Sequence, residues 1–258
     1  MNKGVCKFCG EEKELIKAHI IPKCFYKNYK KQGYKALYSD DGTWQQKQNG
    51  AYDNNILCSK CDNEILSSFE QEGKRVLLAG YKKCNTHKNS NSGTIYSLLK
   101  EDYNYDLLRK FFISIIWRAS VSSEKEFKDI NLGPYENKAL EILRNEKEYN
   151  NLFKVFIFKI PDNSKLAQIV YIKKDKYCQT TMYDIVMPGY DIIMFVNYGK
   201  LPQNEKSLFD NILFSEKHLY ILEMNDINNY NDMLKLLKNW EIAKNKRRTN
   251  ARTNRSSL

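Results

Sequence analysis

Apolar and polar positions divide the chain into stretches of different texture. Residues 1–80 are broken by turn-forming Asp-Asp-Gly, Asn-Gly and Asp-Asn-Asn clusters, with short strands predicted over 36–38 and 43–48 around an Asp41-Gly42 turn. After Cys61 the period changes. Ile65, Leu66 and Phe69 recur at helical spacing, and Asp62 is placed to cap the helix. The polar stretch 86–94, rich in Ser, Asn and Gly, reads as a linker. Beyond it, 105–123 predicts a strongly apolar helix of about five turns. A second helix is predicted over 134–149, with Pro134 near its first turn and Leu140 and Leu143 on one face. Four runs rich in β-branched and aromatic residues, 153–160, 167–174, 191–198 and 217–224, read as strands. A closing helix is expected over 231–246. The pattern gives an α+β chain of helices followed by a mostly antiparallel sheet, with no internal repeat.

Length and composition narrow this picture. The 258 residues hold one large domain or two small ones, and 42% hydrophobic with 13% aromatic residues suffices for a sizeable core. No apolar run reaches bilayer length, and the N-terminal Met-Asn-Lys-Gly-Val-Cys-Lys lacks the apolar segment of a signal peptide, so a cytoplasmic location is expected. The formal net charge of +11 favours polyanionic partners. Part of the excess is local: residues 242–258 carry six Lys or Arg and no acid. Residues 244–258 are expected to be a disordered basic arm, the alternative being a solvated tail that only aids solubility.

Four of the seven cysteines change the reading further. Cys6 and Cys9 form one Cys-x-x-Cys pair and Cys58 and Cys61 another. Each pair can grip zinc through a tight turn whose amides stabilise thiolate charge, and two pairs complete a tetrahedral site. In so loop-rich a region a structural zinc could contribute about 10 kcal/mol of folding free energy. The competing reading is buried thiols without metal, or a redox pair. Cys84 and His87 have ligand spacing but no second pair nearby, and read as a packed thiol and a surface imidazole.

The order "CKFCG", then "AHIIPK", then "DNNILCSKCDNEI" resembles the HNH endonucleases over roughly residues 3–80. The resemblance implies a zinc-stabilised, treble-clef-like ββα-metal domain over 1–85, followed by an α+β accessory domain over 94–243. It implies hydrolysis of DNA phosphodiesters, with His19 as general base, since an imidazole with a pKa of about 6.5 holds and releases a proton near neutrality. Asn54 matches the residue that orients the histidine, and Asp53 occupies the more usual place by counting back from Cys58. Asp62 stands where the family has its third site residue and would bind a catalytic magnesium or manganese ion. Glu70, two helical turns on, could add a ligand. Ala18 stands where the family usually has an acidic or histidine ligand. Lys23, Lys27, Lys30 and Lys31 would hold phosphates. By resemblance the setting is bacterial defence or mobile-element biology, with a homodimer or partner protein. The other readings are a degenerate module that binds nucleic acid without cutting it, and a protein-interaction adaptor. On its own spelling, His19 among aliphatics could instead be a packed histidine.

Overall fold

The computed structural model describes residues 2–32, 35–38, 44–47, 50–83, 85–89, 93–162, 164, 167, 169–210 and 213–224. The expected basic arm, the closing helix 231–246, the Asp41-Gly42 turn and Cys84 lie outside these residues. So do the side chains of Lys30, Lys31 and His87.

Strands β1 (Lys3–Val5), β2 (Glu12–His19) and β5 (Tyr52–Cys58) form a small antiparallel sheet in the order β1-β2-β5. The chain then enters a helical stretch in which α1 (Ser67–Lys74) is flanked by π-helical turns Cys61–Leu66 and Arg75–Ala79. The register between β2 and β5 slips after Ile16↔Leu57 and resumes at Ala18↔Asp53 and His19↔Tyr52. The extra residues bulge from β5 opposite Lys17. Such a bulge bends the strand and re-aims the side chains beside it.

Helix α2 (Tyr105–Val121) is apolar on nearly every face and is buried from Leu108 to Ala119. A helix without a polar stripe must be enclosed on all sides. Asn104 caps it by accepting from Leu107 N at 3.1 Å. On one flank it meets α1 so closely that a methyl group on Gly73 would lie 2.6 Å from the Phe111 ring. Helix α3 (Glu136–Leu143) stops well short of the predicted 149. Asn145, at φ 61°, turns the chain into the left-handed region that ends helices.

The larger sheet, nine-stranded among the described residues, runs β4-β3-β9-β10-β11-β8-β12-β7-β6. Its strands are β3 (Lys35–Tyr38), β4 (Trp44–Lys47), β6 (Asn85–Asn89), β7 (Gly93–Leu99), β8 (Leu152–Lys159), β9 (Ile169–Tyr177), β10 (Thr180–Met187), β11 (Tyr190–Asn197) and β12 (His218–Met224). Pairing is antiparallel except for β3 with β9 and β12 with β8. A short helix, α4 (Gln203–Phe209), lies between β11 and β12.

Three expectations are corrected here. Part of the supposed linker 86–94 is strand: β6 pairs with β7 from Asn85↔Ser97 to Asn89↔Gly93. An edge strand has one side in solvent, so its polar spelling imitated a loop. Strand β10 went unseen because its turn from β9 uses Cys178 and Gln179 at φ 45° and 64°, without the Asn or Gly that normally marks such a turn. Finally, Asp62 lies within the first π-helical turn after Lys60 and caps nothing.

The predicted boundary near 85–94 is crossed by both pairing and packing. Strands β3 and β4 from the first eighty residues extend the large sheet at β9. One apolar cluster runs from Cys6, Phe8 and Ile20 through Phe111, Phe112 and Trp117 to Ile157, Tyr183 and Ile192. No helix among the described residues is long and apolar enough to cross a membrane.

Asp53, fully buried, clasps the two parts together. Its Oδ2 accepts from Ser122 Oγ at 2.8 Å, Ser123 N at 2.8 Å and Ser123 Oγ at 3.1 Å, at the C-terminal end of α2. Its Oδ1 accepts from Asn55 N at 2.7 Å. Burial alone would raise this carboxyl, but the donors from Ser122, Ser123 and Asn55 outweigh it and hold the pKa below its usual value. A depressed folded-state pKa stabilises above the unfolded value of about 3.9 and loses that stabilisation as pH falls through the folded value. Asp53→Ala strands several buried donors and should cost about 2–4 kcal/mol in urea unfolding at pH 7. Asp53→Asn should flatten the loss of stability seen below about pH 4. An unchanged midpoint for Asp53→Ala would show that the clasp does not hold the parts together.

Candidate functional site

The turn between β1 and β2 carries Cys6 and Cys9. Gly10 closes it with φ 79° and donates its N–H to the Cys6 carbonyl at 2.8 Å. Cys58 ends β5 and Cys61 opens the helical stretch. The four Sγ atoms lie within 4.8 Å of one another. Four sulfurs around zinc at about 2.3 Å stand about 3.8 Å apart, so this donor set fits tetrahedral zinc. Cys58 N donates to Cys6 Sγ at 3.4 Å. Burial pushes the Cys6 thiol up, but the N–H groups of Cys9, Cys58 and Phe8 outweigh it and bring the pKa down to about 7. Burial pushes the Cys9 and Cys61 thiols up. Cys6 is therefore the readier thiolate, whereas Cys9 and Cys61 give up their protons when a cation replaces them.

The rest of the protein seats this cluster. Phe8, between the first two cysteines, meets Trp117 of α2 edge-on at 5.8 Å. Arg144, just past α3, donates to the Phe8 carbonyl.

His19 is the last residue of β2, half-buried, with its ring 6.1 Å from that of Tyr52 on the adjacent strand. Its carbonyl accepts from Arg118 Nη1 at 2.6 Å. The same Nη1 donates to Glu70 Oε1 at 2.7 Å. Arg118 Nε and Nη2 donate to the Ser114 carbonyl and Oγ, each at 3.2 Å. Asp62 is half-buried. Burial raises its carboxyl pKa, with Arg118 acting to lower it and Glu70 to raise it. Arg118 thus bonds the His19 carbonyl at the end of a strand and the Glu70 carboxylate on the following helix, and its charge is felt at Asp62.

The other predicted residues fall differently. Asp53 faces Ala18 across the strands, and alternation along a strand puts its side chain on the face opposite that of His19. Both its oxygens are engaged by the α2 end and Asn55, as described above. Asn54 sits in the bulge, exposed, and its carbonyl accepts from Asn2 Nδ2 at 2.8 Å. Glu70 meets Arg118 through Oε1. Lys23 and Lys27 are exposed on the 3-10 helix Lys23–Gln32 that follows His19. Lys30 and Lys31 belong to the same helix.

Two residues were missed. Lys17 places its ammonium 3.7 Å from the centre of the Tyr52 ring, beside His19. Arg118 does carry a signal: a cation inside the apolar run "ISIIWRAS" of 113–120 must find partners, because a buried unpaired charge is too costly to persist.

The cluster should bind one zinc per chain by elemental analysis. Cys9→Ser should lower retained zinc at least tenfold after dialysis against a chelator, with thermal unfolding shifted to lower temperature. Full stability in the metal-free protein would contradict a structural role. Comparisons with protein-family models, with curated proteins and with solved structures return no match.

Proposed function

We propose that the chain is a metal-dependent HNH-type endonuclease acting on DNA. The observation that supports this reading is the order of parts around the cysteine cluster: antiparallel strands, then a helical stretch, with His19 ending one strand and Asp62 in the first turn of that stretch. In this reading a zinc ion joins the β1–β2 turn to the start of the helix and sets the spacing of those two residues.

His19 takes a proton from water as that water attacks phosphorus. Its half-buried ring lies beside that of Tyr52 on the adjacent strand. A magnesium or manganese ion held by Asp62 and waters would neutralise charge on the scissile phosphate and leaving oxygen. Lys17, Lys23 and Lys27 offer charge to the flanking phosphates, which makes binding fall steeply with salt. Asp53 holds α2 in this scheme and has no part in orienting the imidazole.

A second reading has its own support. Ala18 is buried and has no donor atom, and Glu70 already shares one oxygen with Arg118. A site with so few free ligands suits a module that binds nucleic acid without cutting it.

Incubation of purified protein with a defined duplex and manganese separates the two. The nuclease should cleave, and His19→Ala should slow cleavage by about 100-fold or more. Cleavage surviving His19→Ala would refute the base assignment. Salt-sensitive binding without cleavage would establish the binding module, and no affinity at low salt would leave a protein-interaction adaptor.

A further inference from the structure

Arg118 is 0% exposed, so it cannot touch a substrate phosphate. It reaches the candidate site from α2, 99 residues further along the chain than His19. Its burial is not explained by stability. Removing a guanidinium from water costs several kcal/mol, and its bonds to carbonyls and a carboxylate offset that cost only roughly, so an apolar side chain of similar volume often does as well. What the guanidinium provides instead is geometry. Its planar fork holds fixed directions, and here one nitrogen bonds both the His19 carbonyl, at 2.6 Å, and Glu70 Oε1, at 2.7 Å. Ser114 fixes the other end of the fork through its carbonyl and hydroxyl. The strand that carries the candidate base and the helix that carries Asp62 are thus referred to one rigid group on a third element.

We propose that Arg118 is a positioning residue: it sets where the His19 imidazole stands relative to the α1 helix. This rests on the nuclease reading for its effect on rate, but its effect on His19 does not. The site so positioned draws on residues from His19 to Arg118 and cannot be detached from α2.

The experiment uses the full-length protein with Arg118→Gln and Arg118→Lys. With only three histidines, His19, His87 and His218, histidine-selective isotope labelling gives three imidazole signals, assigned with a His19→Gln variant. Arg118→Gln should shift or broaden the His19 signal and leave the other two in place, with zinc content unchanged. On a short duplex with manganese, kcat should fall about 100-fold at a KM within about threefold of the wild type, as expected for a misplaced catalytic group. Arg118→Lys, which retains charge but supplies a point donor, should recover part of that loss. If Arg118→Gln fails to fold, Arg118→Lys takes its place, with about a tenfold fall in kcat expected. If the wild type does not cleave, it is the nuclease reading that fails, and the His19 signal alone decides positioning. An unmoved His19 signal, or an unchanged kcat beside a folded variant, overturns the proposal.

Discussion

A buried guanidinium joins the parts of this protein that carry its candidate chemistry. Arg118 projects from the most apolar helix of the fold into the space between the end of β2 and the start of α1, where it meets a strand carbonyl, a helix carboxylate and its own Ser114. Each partner is needed by the charge as much as the charge is needed by them. Without Glu70 and the carbonyls, a cation at this depth would be too costly to bury. Without the cation, the strand end and the helix lose their common reference. The Asp53 clasp does the same from the neighbouring strand, one register position away, holding Ser122 and Ser123. Helix α2 therefore meets β2 through its arginine and β5 through its terminal serines.

This explains why so loop-rich a segment can hold a defined site. Three short strands and a helix bury too little surface to be stable unaided, since small units lack the core that larger ones have. Two supports supply the deficit. One is the cysteine cluster, which with a metal bound would join the first turn to the start of the helix. The other is the apolar face of α2, against which Phe8, Ile20 and Phe25 pack. The strands β3 and β4 add a third link by extending the large sheet.

The sequence was most legible where chemistry is local. Two Cys-x-x-Cys pairs in one region announced a set of four sulfurs able to hold a metal, and the fold brings them together; the apolar spelling of 105–123 left no reading but a helix. The short strands around residues 36 and 45 showed through their turn residues. What failed was long-range or masked by exposure. Asp53 reads as a polar strand residue near a knuckle, and nothing nearby reveals that its Oδ2 belongs to serines about seventy residues on. Arg118 reads as an interruption of an apolar run, and its partners lie in a segment that precedes it by far. Strand β6 was hidden by its polar edge, and β10 by a turn that tolerates left-handed Cys178 and Gln179 without a glycine.

Anomalous diffraction from crystals grown with manganese addresses the proposed site most directly, because zinc and manganese can be told apart at their absorption edges. A zinc peak within the four sulfurs and a separate manganese peak at Asp62, on the side facing His19, is the expected result. Zinc in the sulfurs with no manganese near Asp62 would contradict a catalytic centre there and leave the cysteine cluster as a purely structural staple.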